Sequence, residues 1–235
     1  MLIIFDLDDT LIDTSVCITP TKLNRAITRM IETGCEMQDP VAAFKKLIEF
    51  NEKASSAKEA LENFIEFMGF KKKFLQIGVH EVYSTPSEGI QINPVEGVLE
   101  FLSNFKGKCF FAVVSMGKLE QQLFKMEKAG IDSAFFYKIV VLEEGSKKRC
   151  YQEMMAELKL SPSEVIVCGD RISVDLVPAK ELGCITVQMK RGRGILSQKL
   201  GGEVDFVVTD FFQFQEIFCK VSGWENFNGV SSGNK

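Results

Sequence analysis

Short apolar runs alternate with helical segments over most of the chain, and this alternation limits the fold more than any other feature. One apolar run opens the sequence, and the others follow residue 93 with amphipathic stretches between them. The predicted strands are residues 2–5, 109–114, 138–142, 165–168, 185–188 and 205–208. The predicted helices between them are residues 93–105, 119–129, 147–158 and one from about residue 175. Because parallel strands are joined by helical crossovers, we predict an α/β fold with a doubly wound, mainly parallel sheet.

The segment between the first two strands has a different pattern. Apolar residues such as Leu61, Phe64, Ile65 and Met68 recur there at helical spacing. The predicted helices are residues 20–32, 41–53, 56–68 and 71–83. The sequence therefore predicts an α/β core at residues 1–13 and 93–221, a helical insertion at residues 14–92, and a flexible C-terminal tail at residues 222–235.

The first predicted strand ends in an acidic motif. Asp6 and Asp8 follow the apolar run at alternate positions, and Thr10 comes two residues later. Like charges at the end of a core strand repel one another, and a hard cation among the carboxylates offsets that repulsion. Oxygen donors of this kind suit Mg²⁺, so we predict a magnesium site here.

Polar residues also follow the other predicted strands. Ser115 comes after the second strand, Lys147 and Lys148 follow the third, and Asp170 and Asp175 follow the fourth. In a parallel sheet the carboxyl ends of the strands meet at one edge, where ligands bind. These side chains, far apart in sequence, are therefore expected to converge with the acidic motif in one crevice.

The order of these motifs resembles that of the haloacid dehalogenase-like hydrolase superfamily. The matching positions are Asp6, Asp8 and Thr10, then Ser115, then Lys147, then Gly169, Asp170 and Asp175. The resemblance covers residues 1 to about 218 and implies a Rossmann-like core. It also implies that the helical insertion is a cap that closes over the site.

The resemblance assigns a role to each acidic residue. Asp6 is expected to attack phosphorus and form an aspartyl-phosphate, while Asp8 acts first as acid and then as base, with a raised pKa. Magnesium is expected on Asp6, the Asp8 backbone carbonyl and Asp170, with Asp175 in support. Lys147 is the expected catalytic lysine, because four carboxylates and a phosphate dianion total about −6 against +2 from one metal ion.

Phosphate binding is assigned on the same basis. The expected residues are Thr10, Ser115, Met116, Gly117, Lys147 and Lys148. Met116 stands where the family often has a polar residue, so Met116 and Gly117 are expected to contribute backbone N–H groups. The family often has proline after its lysine, whereas this chain has a second lysine, so Lys148 is an alternative to Lys147.

These residues together predict a magnesium-dependent phosphatase that acts on a small phosphate monoester. A phosphomutase of the same fold would share every core residue. A phosphonate hydrolase would need a Schiff-base lysine from the cap, for which Lys22, Lys45 and Lys46 are candidates. A non-catalytic module that uses the cap to bind a protein is the alternative from a different class.

Composition indicates the partners and the compartment. A net charge of −4 and a pI near 5.3 give no field that attracts nucleic acid or an anionic membrane, so a small phosphorylated metabolite is the expected partner of a monomer or homodimer. Seven scattered cysteines without a Cys-x-x-Cys pair indicate reduced thiols and a cytoplasmic protein. The Arg-Gly-Arg-Gly sequence at residues 191–194 is typical of a mobile loop.

Overall fold

The centre of the protein is a six-stranded sheet in which every neighbouring pair is parallel. A computed structural model describes residues 1–85, 87–196 and 201–223. The strands are β1 (Leu2–Phe5), β2 (Phe110–Met116), β3 (Lys138–Leu142), β4 (Val165–Gly169), β5 (Ile185–Met189) and β6 (Phe206–Val208). Their order across the sheet is β3-β2-β1-β4-β5-β6. The predicted α/β class and the parallel sheet are confirmed.

β1 lies in the middle of the sheet, where it is buried on both faces. Phe5, its last residue, is in register with Val113 of β2 and Cys168 of β4. The backbone continues beyond the strand, because the N–H of Asp6 donates to the Cys168 carbonyl at 2.9 Å. The three central strands therefore end at one edge, and the polar residues that follow them emerge together.

Helices cover both faces of the sheet. In chain order they are α1 (Thr14–Cys17), α2 (Thr19–Glu32), α3 (Pro40–Lys53), α4 (Ala57–Phe67), α5 (Lys73–Tyr83), α6 (Val98–Phe105), α7 (Leu119–Lys128), α8 (Lys148–Leu158), α9 (Val177–Lys180) and α10 (Phe211–Ser222). Buried phenylalanines fill one face, where Phe101 of α6 and Phe214 of α10 pack on Phe5 with ring centroids 6.3 and 5.5 Å away. On the other face, Tyr151 and Met154 of α8 belong to a separate cluster of buried apolar side chains.

The first five helices form the insertion between β1 and β2. The four predicted helices of this segment are present within two residues of their expected bounds, and the short α1 precedes them. The insertion has its own apolar core, which includes Leu23, Ile27, Leu61 and Phe64. This separate cluster supports the proposed division into a core at residues 1–13 and 93–221 and a cap at residues 14–92.

The predicted helix over residues 93–105 begins later than expected. α6 starts at Val98, because the chain before it is extended and Pro94 forms an isolated bridge with Ile12. Gly97 then adopts a φ of +81°, a left-handed conformation that glycine reaches without strain. The strand that the sequence predicts at residues 109–114 runs on to Met116, where its last residues pair with β3.

All seven cysteines are free, which agrees with the prediction of reduced thiols. Within the described ranges, no helix combines the length and the apolar character needed to cross a membrane. Most of the predicted tail, residues 224–235, lies outside the described residues.

Candidate active site

Three aspartates come together at the carboxyl edge of the sheet. Asp6 follows β1, Asp170 follows β4, and Asp175 lies in the short π-helical turn Ile172–Leu176. One carboxylate oxygen from each lies within 4.8 Å of the others, and all three residues are buried. The topology thus assembles the convergent acidic set that the sequence predicts from strands distant in the chain.

Lys147 lies between two of these carboxylates. Its Nζ donates to Asp6 Oδ1 at 2.5 Å and to Asp175 Oδ1 at 2.7 Å, and the lysine is completely buried. The residue immediately precedes α8, so the helix start directs it toward the end of β1. Burial favours the neutral amine, but Asp175 and Asp6 outweigh that effect and raise the pKa of Lys147.

The acidic set carries more negative charge than Lys147 balances. Burial raises the pKa of Asp6 to about 6; Lys147 opposes this rise, while Asp175 and Asp8 add to it. The pKa of Asp170 is raised well above its usual value by burial and by the charges of Asp175 and Asp6. Closely spaced, buried carboxylates whose charged forms are disfavoured fit a divalent cation, since oxygen donors are the ligands of hard metal ions.

A close contact at the end of β4 positions Asp175. A Cβ atom on Gly169 would lie 2.5 Å from the Cβ of Asp175, so only glycine permits this approach. The Asp175 Oδ2 accepts the backbone N–H of Arg171 at 2.9 Å, and its carbonyl accepts the Tyr151 hydroxyl at 3.3 Å. Glycine is therefore required at this position of the Gly-Asp motif by packing, since Gly169 is the last residue of β4.

Asp8 is held by side chains that the sequence pattern does not predict. Lys125 Nζ donates to its two carboxylate oxygens at 2.8 and 3.0 Å, Gln122 Nε2 to Oδ2 at 2.9 Å, and the Thr14 hydroxyl to Oδ1 at 2.5 Å. Burial alone would raise the pKa of Asp8, but the charge of Lys125 and these hydrogen bonds lower it to about 2. The expectation of a raised Asp8 pKa is wrong because it considered the neighbouring carboxylates and not this lysine.

Gln122 links Asp8 to the end of β2. Its Nε2 also lies 2.8 Å from Ser115 Oγ and 2.9 Å from the Met116 carbonyl. Gln122 and Lys125 are one turn apart on α7, and Gln122 is buried beside the apolar Met126. A polar residue on the buried face of a helix is the one sequence signal that could have pointed to them.

The predicted phosphate-binding residues are only partly brought together. Ser115, Met116 and Gly117 line the cavity above the aspartates, but the Gly117 N–H donates to the Leu142 carbonyl at 2.8 Å and is already used. Thr10 is completely buried, does not line the cavity, and its Oγ1 has no hydrogen-bond partner within the described chain.

The two adjacent lysines point in different directions. Lys148 forms an ion pair with Glu181 at 2.7 Å on the surface, whereas Lys147 reaches Asp6. The geometry therefore favours Lys147 over Lys148 as the lysine of the site.

Asp6, Asp8 and Asp170 line a cavity of about 370 Å³ between the core and the insertion. Beyond the contacts of Thr14 and Ser15 with Asp8 and Asp9, side chains of the core bond the insertion further along the chain. Gln121 of α7 donates to the Tyr83 carbonyl at 3.1 Å, and Arg193 donates to Asn51 Oδ1 at 2.8 Å and to the Ala54 carbonyl at 3.2 Å. The cationic residues that line the cavity are Lys22, Lys118, Lys125, Arg171 and Arg193.

Comparison with known protein families identifies the family to which this chain belongs. The family model described as haloacid dehalogenase-like hydrolase matches residues 3–189 of the 235. The chain belongs to the haloacid dehalogenase-like hydrolase family. A curated relative of this hydrolase, glyceraldehyde 3-phosphate phosphatase from Pyrococcus furiosus, is 27% identical over 229 residues, which cover 94% of each chain.

Solved structures share the fold of this hydrolase at low identity. A predicted phosphoglycolate phosphatase from Haemophilus somnus superposes with a TM-score of 0.66 at 16% identity, over 92% of this chain and 97% of that one. A putative β-phosphoglucomutase from Thermotoga maritima has a TM-score of 0.63 at 18% identity, over 94% and 99% of the two chains. Since the fold hosts different reactions, the chemistry of this chain must be argued from its site.

Proposed function

We propose that this hydrolase is a magnesium-dependent phosphatase that cleaves a small phosphate monoester through a phosphorylated Asp6. The observation that carries the proposal is the buried Lys147, which contacts Asp175 and the cavity-lining Asp6. The curated relative, named as a phosphatase, supports the same reaction class. A small ester also suits the cavity volume, which is near the lower end of the range for small-molecule sites.

Asp6, Asp170 and Asp175 would hold the metal ion. An all-oxygen donor set favours Mg²⁺ over softer metals. The ion would neutralise phosphate charge and so let the dianion approach the carboxylates. The backbone carbonyl of Asp8 remains in the proposed ligand set, while the side chain of Asp8 faces Lys125.

Asp6 is proposed as the nucleophile. Its carboxylate attacks phosphorus in line with the leaving oxygen, and water then cleaves the resulting aspartyl-phosphate. Lys147 holds the carboxylate in place and balances its charge in a site where burial strengthens electrostatic interactions. Ser115, which lines the cavity, is proposed to donate its hydroxyl to a phosphate oxygen.

Asp8 is proposed to protonate the leaving oxygen and then to activate water. Lys125 and Gln122 fix its carboxylate, and Lys125 also keeps it ionised. A substrate dianion that enters the cavity competes with Asp8 for the ammonium of Lys125. Weakening this ion pair raises the pKa of Asp8 and allows it to take up the proton that it donates.

Glyceraldehyde 3-phosphate is the first substrate to test, because the curated relative is named for it. Phosphoglycolate, sugar phosphates and nucleoside monophosphates complete the panel. Of the three candidates for the single Schiff-base lysine of a phosphonate hydrolase, Lys22 lines the cavity, whereas Lys45 and Lys46 do not. We further propose that the protein acts in the cytoplasm, as a monomer or homodimer, and without a nucleic-acid partner.

Hydrolysis of p-nitrophenyl phosphate with Mg²⁺ and with excess chelator tests this function. We expect release of phosphate that requires the metal and is lost in Asp6→Asn. Asp132→Asn is the control, since Asp132 is exposed and does not line the cavity. Hydrolysis that is equal with metal and chelator, or that survives in Asp6→Asn, would contradict the proposal.

A further inference from the structure

Lys22 is a buried cation on the side of the cavity formed by the insertion. It lies on α2, is 3% exposed and lines the cavity above the aspartates. Its Nζ donates to the carbonyl and, at 3.1 Å, to the hydroxyl of Thr85. Both of these partners are neutral.

No carboxylate of the described chain lies within ion-pair distance of Lys22. The charge of Glu81, whose carboxylate accepts the Thr85 hydroxyl at 3.1 Å, acts on Lys22 from beyond ion-pair distance. A buried ammonium without a direct counter-ion is costly to keep. A ligand oxygen in the cavity would offset part of that cost.

The chemistry of the site places Lys22 near the leaving group. Lys125, which is bonded to Asp8, is close enough to Lys22 for its charge to act on it across the cavity. Asp8 is the residue proposed to protonate the ester oxygen, so the leaving group starts beside Lys125. The remainder of that group must occupy the space between the core and Lys22.

We propose that Lys22 is a specificity-determining residue that donates a hydrogen bond to an oxygen of the leaving group. This inference rests on the proposed phosphatase function and names the substrate class, which is a phosphate ester whose leaving group carries a hydroxyl, carbonyl or carboxylate oxygen. An ammonium has three donors, and Thr85 accepts two of them. The third is available to the substrate.

The other cavity residues contributed by the insertion support an oxygen-rich leaving group. Ser55, Ser56, Ser87 and Tyr83 also line the cavity and make the part of its surface that the insertion forms polar. Burial lowers the pKa of Lys22 to about 8, with Glu81 opposing and Arg25 and Lys125 adding to the fall, so the ammonium stays charged at neutral pH. A site built to donate hydrogen bonds rejects an analogue that lacks the acceptor.

Two esters matched in carbon number test the inference. In the wild-type protein with Mg²⁺, we expect kcat/KM for glyceraldehyde 3-phosphate to exceed that for propyl phosphate. In Lys22→Met we expect a loss of about 10- to 100-fold for glyceraldehyde 3-phosphate, the range of a hydrogen bond to a charged group, and a much smaller change for propyl phosphate. The loss should appear mainly in KM, since the contact is made in the ground state and the transition state alike.

The matched control is Lys45→Met, an exposed lysine of the same cap that does not line the cavity. Lys45→Met should leave kcat/KM unchanged for both glyceraldehyde 3-phosphate and propyl phosphate. A third ester, 3-phosphoglycerate, identifies the kind of oxygen that accepts the hydrogen bond. If Lys22→Met lowers kcat/KM more for 3-phosphoglycerate than for glyceraldehyde 3-phosphate, the acceptor is a carboxylate. If it lowers kcat/KM less, the acceptor is a neutral oxygen. Either result supports the inference.

Equal losses for propyl phosphate and glyceraldehyde 3-phosphate in Lys22→Met would overturn it. The same holds if the wild-type protein hydrolyses both esters equally well, a comparison that does not depend on the variant's folding. In that case metal-dependent hydrolysis of propyl phosphate would leave the proposed phosphatase function standing. Absence of hydrolysis for every ester would overturn the function together with the inference.

Discussion

At the scale of single residues, the site depends on how positive charge is distributed among buried carboxylates. Lys147 balances Asp6 and Asp175, and Lys125 balances Asp8. The sequence predicts Lys147 and Lys148 near the site because both follow a strand of the sheet, and the family resemblance favours Lys147. It does not predict Lys125, whose contact depends on how a helix is oriented rather than on where a strand ends.

Loss of Lys147 should destabilise the metal-free protein. Removing one partner of a buried ion pair leaves an uncompensated charge, so Lys147→Met should lower the free energy of unfolding by about 3–5 kcal/mol. Urea unfolding in chelator measures this change, and Mg²⁺ should reduce it. Lys148→Met, which affects a surface ion pair, is the control. An equal stability of the two variants in chelator would contradict the expected role of Lys147.

The stability of the metal-free protein should fall as pH rises from about 4 to 6. Asp6 has a folded-state pKa of about 6 against 3.8 as its ordinary value, so the folded state holds the proton more tightly and loses stability as the carboxyl ionises. Urea unfolding in chelator across this range should show the fall in the wild type and a smaller one in Asp6→Asn. Identical pH profiles of stability for the wild type and Asp6→Asn would contradict the raised pKa of Asp6.

At the scale of elements, α7 and the segment at residues 191–194 connect the site to the insertion. α7 presents Gln122 and Lys125 to Asp8 from one face. The 191–194 segment is not the free loop that its composition suggests, because Arg191 is bonded to Asp13 and Arg193 to Asn51. Such long-range contacts leave no local periodicity, so the sequence alone does not reveal them.

Removal of the α7 lysine should raise the pKa of Asp8. The pKa of about 2 results from Lys125 and the hydrogen bonds that oppose burial, so in Lys125→Met, where only the hydrogen bonds from Thr14 and Gln122 still oppose burial, the pKa should rise. A carbon-13 NMR titration of the aspartate carboxyls measures it. Lys128→Met, an exposed lysine on the same helix, should leave the Asp8 titration where it is. An unchanged Asp8 pKa in Lys125→Met would show that Lys125 does not lower the pKa of Asp8.

Loss of the Arg193 side chain should loosen the insertion from the core. Arg193→Ala removes its hydrogen bonds to Asn51 and to the Ala54 carbonyl. Hydrogen exchange of the backbone amides around residues 51–54 should become faster. Arg149→Ala, an exposed position on α8, provides the comparison. Exchange that is equally fast in both variants would show that Arg193 does not hold the insertion in place.

At the scale of the whole molecule, much of the architecture follows from local pattern. Buried strands and amphipathic helices have distinct periods, and β1, β3 and the insertion helices lie close to their predicted positions. The start of α6 was not predictable in this way, because Pro94 pairs with Ile12 from a distant part of the chain. The acidic cluster was predictable, since parallel strands bring their ends together, whereas the cavity wall depends on how two separate apolar cores meet.

The proposed mechanism requires that Asp6 carries the phosphoryl group during turnover. Acid quenching of the protein during hydrolysis of glyceraldehyde 3-phosphate with Mg²⁺, followed by peptide mass mapping, tests this claim directly. We expect one acid-stable, base-labile phosphoryl group on the peptide that contains Asp6, and none after chelation or in Asp6→Asn. A phosphoryl group on another residue, or sustained turnover without any phosphorylated peptide, would contradict the account.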